Sequence, residues 1–192
     1  MLTVSIQAGG QSSRMGEDKA LKPFLGRPLI TRVVDRLQPI ADELIVTTNR
    51  PADYAFLRLP LFLDLKPGRG ALGGLHTAIA SAKSPLVAVV ACDMPFASAP
   101  LLETAARLLV EENADVVIPR STEGLEPLHA VYRREICLPA IESAIEADQW
   151  KVIAWFPQVK VLKLPVDDER PFWNVNTPEE FAEAERIALA DD

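Results

Sequence analysis

The chain has 192 residues and a formal net charge of -7, with 48% hydrophobic and 24% charged residues. That length suits one domain spanning residues 1–192 around a buried core, and the acidic balance argues against a general nucleic-acid surface or an anionic membrane partner, so an anionic ligand must meet local cations. No apolar run has membrane-spanning length and no basic stretch precedes a long apolar core at the N-terminus, so the expected location is the cytoplasm; Cys92, Cys137, His76 and His129 lack metal-ligand spacing, which excludes a zinc cluster.

Short β-rich runs alternate with helical patterns. "TVSIQ" reads as the first strand. "PLITRVVDRLQPI" reads as a helix with Leu29, Val33, Val34 and Leu37 on one face. "ELIVTTN" and "LPLFLDL" read as two further strands. "ALGGLHTAIASA" reads as a helix entered through glycines. "PLVAVVACDMP" is the most apolar strand and is expected at the sheet centre, covered on both faces. "APLLETAARLLVEEN" is an amphipathic helix, and "ADVVIP" the next strand. The order predicts a mostly parallel sheet with helices on both faces, a Rossmann-like three-layer α/β/α fold. Beyond it, "PLHAVYRRE" reads as a strand that can run antiparallel, followed by a helix near 134–147 and a strand in "VKVLKLP". In "NTPEEFAEAERIALA", Thr177 can cap a last helix, with Pro178 in its first turn and Glu180 completing a capping box. Trp150, Trp155 and Phe156 read as core or partner contacts.

"AGGQSSRMGEDKAL", residues 8–21, follows the first strand directly. Ligands of open parallel sheets bind beyond the carboxyl ends of strands. Gly9 and Gly10 allow close backbone approach, and successive N–H groups there form an anion-binding concavity. Ser12 and Ser13 add hydroxyl donors, Arg14 can fork onto phosphate oxygens, and Lys19 offers a point charge. The bland reading is a glycine-rich strand–helix turn with solvated charges. The Arg-x-Gly-x-x-Lys spacing favours a phosphate cradle.

That stretch resembles the signature of the nucleotidyltransferases that act on the molybdenum cofactor, most closely their guanylyltransferase branch. "CDMP" after the central strand and "NVNTPEE" before the last helix extend the resemblance over most of the chain. Two positions depart from the family pattern: Gln7 stands where leucine is common, and Thr47 where some relatives carry asparagine, with Asn49 two residues on.

The resemblance implies nucleotide contacts at Gln7, Ala8, Gly9, Gly10, Ser12, Ser13, Lys19, Asn49, Asp64, Gly73 and Asp93, with Arg14, Lys19 and Asp93 carrying the chemistry. Asp93, at the mouth of a strand, can hold Mg²⁺ against nucleotide phosphates; its alternative is a turn residue. Asp64 is either a guanine or ribose contact, or the start of an Asx-turn. Gly73 and Gly74 serve either ligand approach or helix–sheet packing. Asn176 is the expected second metal ligand and Asn174 an acceptor contact, with plain turn chemistry as the alternative. His129 is placed on the pterin side, or else in the core.

The implied reaction is GMP transfer from GTP to the terminal phosphate of molybdenum-molybdopterin, with release of pyrophosphate. Implied partners are these two substrates and, beyond them, molybdenum-insertion proteins or molybdoenzyme chaperones. A cytidylyltransferase for the same cofactor, a sugar-1-phosphate nucleotidyltransferase, and a catalytically silent nucleotide-binding or cofactor-delivery module are the competing expectations.

Overall fold

A computed structural model describes residues 1–8 and 18–191. In chain order the elements are β1 (Leu2–Gln7), β2 (Pro23–Phe24), β3 (Arg27–Pro28), α1 (Leu29–Leu37), β4 (Glu43–Thr47), α2 (Pro51–Tyr54), β5 (Leu61–Phe62), α3 (Gly70–Ser81), β6 (Leu86–Ala91), α4 (Ala99–Glu111), β7 (Val116–Arg120), β8 (His129–Arg133), α5 (Arg134–Glu146), β9 (Val161–Pro165) and α6 (Pro178–Asp191).

Seven strands form one sheet in the order β5–β4–β1–β6–β8–β7–β9. All neighbours are parallel except where β8 pairs with β6 and β7. The reversal at β8 follows from chain length. Parallel neighbours need a crossover of about a dozen residues or more, whereas the stretch from Arg120 to His129 is only long enough to turn back. Gly124, at φ +138°, sits in that turn.

Helices cover both faces, as the alternating pattern predicts. Leu2, Val4 and Ile6 of β1 join α1 and α4 in one core cluster. Val87 and Val89 of β6 join α3, α5 and Trp155 in the other. The apolar stripe of α1 is fully engaged: Leu29, Ile30, Val33, Val34 and Leu37 are all buried. On its α3 side β1 instead presents the buried polar residues Thr3, Ser5 and Gln7.

Three features differ from the sequence reading, one of them the one-turn helix α2, which it did not contain. The strand in "LPLFLDL" is only Leu61–Phe62, an edge pair, after which the chain turns toward α3. The β2–β3 hairpin went unseen because two-residue strands carry no alternation; Leu25 and Gly26, at φ 50° and 78°, make its turn. Trp155 is in the core as expected, whereas Trp150 is exposed. Among the described residues no helix is long and apolar enough to cross a membrane.

Candidate active site

The strands β1, β4, β5 and β6 run parallel and end at one edge of the sheet. There β4 and β5 lie to one side of β1, and β6 and the later strands to the other. Such a reversal opens a crevice beyond the strand ends, where open α/β sheets hold ligands. Gln7–Ala8 and Ala91–Asp93 flank it, joined by Cys92 N–H donating to the Gln7 carbonyl at 3.2 Å.

Asp93 begins the turn into α4 and is half-buried. Its carbonyl accepts from Val175 N–H at 3.1 Å, which fastens the segment before α6 to the end of β6. Burial pushes its carboxyl above the ordinary carboxylate range, opposed by its own backbone N–H and by the charge of Lys19. Its side chain accepts no hydrogen bond from any other described residue.

Lys19 stands on a 3₁₀ turn, Lys19–Leu21, capped by Asp18, whose Oδ1 accepts from Ala20 N–H at 3.1 Å. Lys19 Nζ donates to Asn176 Oδ1 at 2.7 Å, and Asn176 Nδ2 donates to the Asn174 carbonyl at 2.9 Å. Asn176 is held from behind by the expected capping box. Glu180 accepts from Asn176 N–H at 2.6 Å and Thr177 N–H at 2.9 Å, and its own N–H donates to Thr177 Oγ1 at 3.1 Å. Asp93, Lys19, Asn174 and Asn176 thus converge on the crevice from three separate parts of the chain.

On the other side of β1, α3 comes close through two glycines. A Cβ on Gly74 would lie 1.8 Å from Gln7 Nε2, and one on Gly73 would lie 2.8 Å from the Lys66 carbonyl and 3.2 Å from Asp64 Oδ1. Asp64 Oδ1 accepts from Lys66 N–H and Thr77 Oγ1–H, each at 3.1 Å, so this oxygen makes an Asx-turn. Gln7 Nε2 donates to the Ala71 carbonyl at 3.3 Å. Among the described residues, Gln7 Oε1 and Thr47 Oγ1 are buried without a partner. The Gln7 carbonyl serves Cys92, and Ala8 N–H donates to the Thr47 carbonyl at 2.8 Å, so the sheet already uses these two backbone groups.

Two expected contacts are placed differently from the rest. Asn49 is exposed, just beyond β4, in a turn where Thr48 Oγ1 accepts from Arg50 N–H. His129 lies at the same sheet edge, paired with Val90, but is 0% exposed. Its Nε2 accepts from Ser98 N–H at 3.0 Å, its ring meets Phe172 edge-on at 5.4 Å, and burial pushes its pKa down to about 4. This is the core placement that was the alternative to the pterin side. His129 is a neutral core histidine beneath Phe172, and Trp173 stacks on Phe96 beside it. Gly9, Gly10, Ser12, Ser13 and Arg14 lie outside the described residues.

The residues present fit Mg²⁺ as one carboxylate site completed by substrate. A half-buried, uncommitted carboxylate suits a hard cation that takes one or two carboxylates plus phosphates and water. Among the described residues no cluster of three or more His, Cys, Asp or Glu could cage a metal alone. Asn176 Oδ1, the expected second ligand, is occupied by Lys19.

Sequence reasoning missed Tyr54, whose hydroxyl donates to Asp18 Oδ2 at 2.6 Å, and Thr77, which ties Asp64 to α3. Neither stands in a motif or at a telling spacing.

The MobA-like NTP transferase domain model matches residues 4–160. A probable molybdenum cofactor guanylyltransferase of Carboxydothermus hydrogenoformans is 39% identical, over 97% of this chain and 96% of that protein. The molybdenum cofactor guanylyltransferase of Desulfosudis oleivorans is 35% identical, over 98% of this chain and 96% of that protein. Among solved structures, molybdopterin-guanine dinucleotide biosynthesis protein A from Archaeoglobus fulgidus superposes with a TM-score of 0.82 at 27% identity, covering 98% of this chain and 99% of that one. With the family model over most of its length and relatives alike from end to end, this chain belongs to the MobA-like NTP transferase family of nucleotidyltransferases.

Proposed function

We propose that the chain transfers GMP from GTP to the terminal phosphate of molybdopterin and releases pyrophosphate. The observation that carries this reading is the convergence of Lys19, Asp93 and Asn176 at the crevice, in a chain whose full-length relatives bear the guanylyltransferase name.

An oxygen of the acceptor phosphate attacks the α-phosphorus of GTP. A new P–O–P linkage forms as the bond from the α-phosphorus to the β-phosphate oxygen breaks, and that oxygen leaves with pyrophosphate. A terminal phosphate has a second pKa of about 6 and is already largely anionic at neutral pH, so the site needs no strong general base. This agrees with the burial of both histidines, His76 and His129. The chain's task is to bring two polyanions together and offset their charge.

Lys19 exchanges the neutral Asn176 oxygen for a phosphate oxygen of GTP. Arg14, Ser12, Ser13, Gly9 and Gly10 supply further donors from the glycine loop. Asp93 holds Mg²⁺, which when bound offsets negative charge on the phosphates. Guanine lies toward Asp64 and Gly73, where carboxylate and carbonyl acceptors suit its N1 and N2 donors. The acceptor lies on the opposite side, toward Asn174 and Asn176, in a cleft of about 540 Å³ whose lining sets Glu123, Glu126, Glu169 and Glu180 against Arg170, so its phosphate must sit at the Lys19 end. That volume is ordinary for a small-molecule site.

Calorimetric titration of GTP, CTP and ATP with Mg²⁺ tests the base assignment. GTP is expected to bind most tightly. CTP binding as tight or tighter overturns the guanylyl reading and favours a cytidylyltransferase.

A further inference from the structure

Lys19 is preceded by a carboxylate, Asp18, but the two do not pair. Asp18 Oδ1 accepts from Ala20 N–H at 3.1 Å and Asp18 Oδ2 accepts from the Tyr54 hydroxyl at 2.6 Å. Lys19 makes no ion pair among the described residues and rests on a neutral amide, Asn176 Oδ1, at 2.7 Å.

Tyr54 comes from a distant part of the chain. It ends α2, is 0% exposed, and its ring belongs to the core cluster formed by β1, α1 and α4. Burial, together with Asp18, holds its phenol well above the ordinary tyrosine range, so it remains a donor at any working pH. A rigid donor rooted in the core therefore fixes the direction of the Asp18 carboxylate.

We propose that Tyr54 is a positioning residue of the nucleotide site: by engaging Asp18 it keeps that carboxylate from capturing Lys19, so that the ammonium remains available to a nucleotide phosphate. The physics is a competition between acceptors. The Lys19–Asn176 bond is charge-assisted through its donor alone, whereas an ionised acceptor adds a Coulomb attraction that an amide oxygen lacks. A phosphate oxygen therefore displaces Asn176 from Lys19 readily, but would have to compete on equal terms with Asp18. The Tyr54–Asp18 bond removes that competitor without removing the cap on the Lys19 turn, which the other carboxylate oxygen supplies. The proposal rests on the reading of Lys19 as a phosphate ligand.

The test is Tyr54→Phe, which keeps the buried ring and deletes one oxygen. Pyrophosphate release under GTP titration should show kcat/KM reduced roughly 10- to 100-fold, the scale of a misplaced binding group, mainly through KM. The melting temperature reports that the variant is folded. In a Lys19→Ala background the same change should add less than about twofold, because residues acting through one group are not additive. Asp18→Asn introduced into Tyr54→Phe removes the competing charge while leaving an oxygen for Ala20 N–H, and should restore most of the loss. Wild-type kinetics in Tyr54→Phe overturn the proposal. So does an undiminished loss in the Lys19→Ala background, or failure of Asp18→Asn to rescue, including where Tyr54→Phe is unfolded. If Lys19→Ala itself retains wild-type kinetics, it is the phosphate reading of Lys19 that fails.

Discussion

Lys19 Nζ donates to Asn176 Oδ1 at 2.7 Å, closing a contact between residues 157 positions apart in the chain. The bond is charge-assisted through its donor, but the amide oxygen carries no charge of its own, which a phosphate oxygen does. The charge of Lys19 also reaches the Asp93 carboxyl, and on the proposed function a triphosphate takes the place of the amide. Lys19→Ala is expected to lower kcat/KM for GTP by about 10² while changing stability by less than about 0.5 kcal/mol, as for most surface substitutions. Steady-state kinetics beside a thermal melt checks both halves.

Asp93→Asn keeps shape and removes one charge. Turnover should fall by about 10²–10³, the usual cost of lost electrostatic preorganisation. GTP affinity without metal should be unchanged or improved. Because burial raises the Asp93 carboxyl in the metal-free chain, the proton competes with the metal there, and more Mg²⁺ should be needed to sustain the rate as the pH is lowered. The stability effect has the opposite sign. Between the unfolded and the raised folded pKa the native state binds more protons, so metal-free stability declines as pH rises through that interval. Asp93→Asn should lose that slope, measured as the difference in melting temperature across pH.

Gly74→Ala would put a methyl where Gln7 Nε2 now lies, 1.8 Å away. The Gln7 side chain must move, and its bond to the Ala71 carbonyl breaks. Overpacking of this kind costs about 1–3 kcal/mol. Gln7→Ala should make Gly74→Ala close to neutral. A denaturant double-mutant cycle reads the coupling, and simple additivity would show that Gln7 is not what requires a glycine there.

His129 titrates with the sign of a buried neutral imidazole. Its folded pKa is pushed down to about 4 from an unperturbed 6.5, so the unfolded chain binds the extra proton between those values. The contribution of His129 is present above pH 6.5 and is lost as pH falls toward 4. His129→Gln keeps an acceptor for Ser98 N–H and cannot titrate. The wild-type-minus-variant difference in melting temperature should change sharply between pH 6.5 and 4 and stay flat above 7.

The helices other than the one-turn α2 were legible because their apolar residues recur at i, i+3 and i+4, and the start of α6 because Thr177, Pro178 and Glu180 act within one turn. The core strands were legible as apolar runs. β5 was over-read because an edge strand needs few residues to pair, while Leu63 and Leu65, apolar by composition, are exposed. Of the proposed site, Lys19, Asp93 and Asn176 stand in three motifs of the sequence, yet their proximity depends on bonds between distant segments, such as Val175 N–H to the Asp93 carbonyl. His129 was read toward the acceptor, but its ring is engaged by Ser98 and Phe172, which lie 31 residues before it and 43 after it in a chain numbered continuously. Tyr54 left no trace, because a lone tyrosine has no periodicity and its partner Asp18 is 36 residues away.

The most direct test supplies GTP labelled at the α-phosphorus, purified molybdopterin and Mg²⁺, and follows the label. GMP transfer predicts label in a pterin dinucleotide, with one pyrophosphate released per molecule formed, and far less product from α-labelled CTP. Label remaining in GTP or appearing only as free GMP, or transfer from CTP at an equal or greater rate, would contradict it.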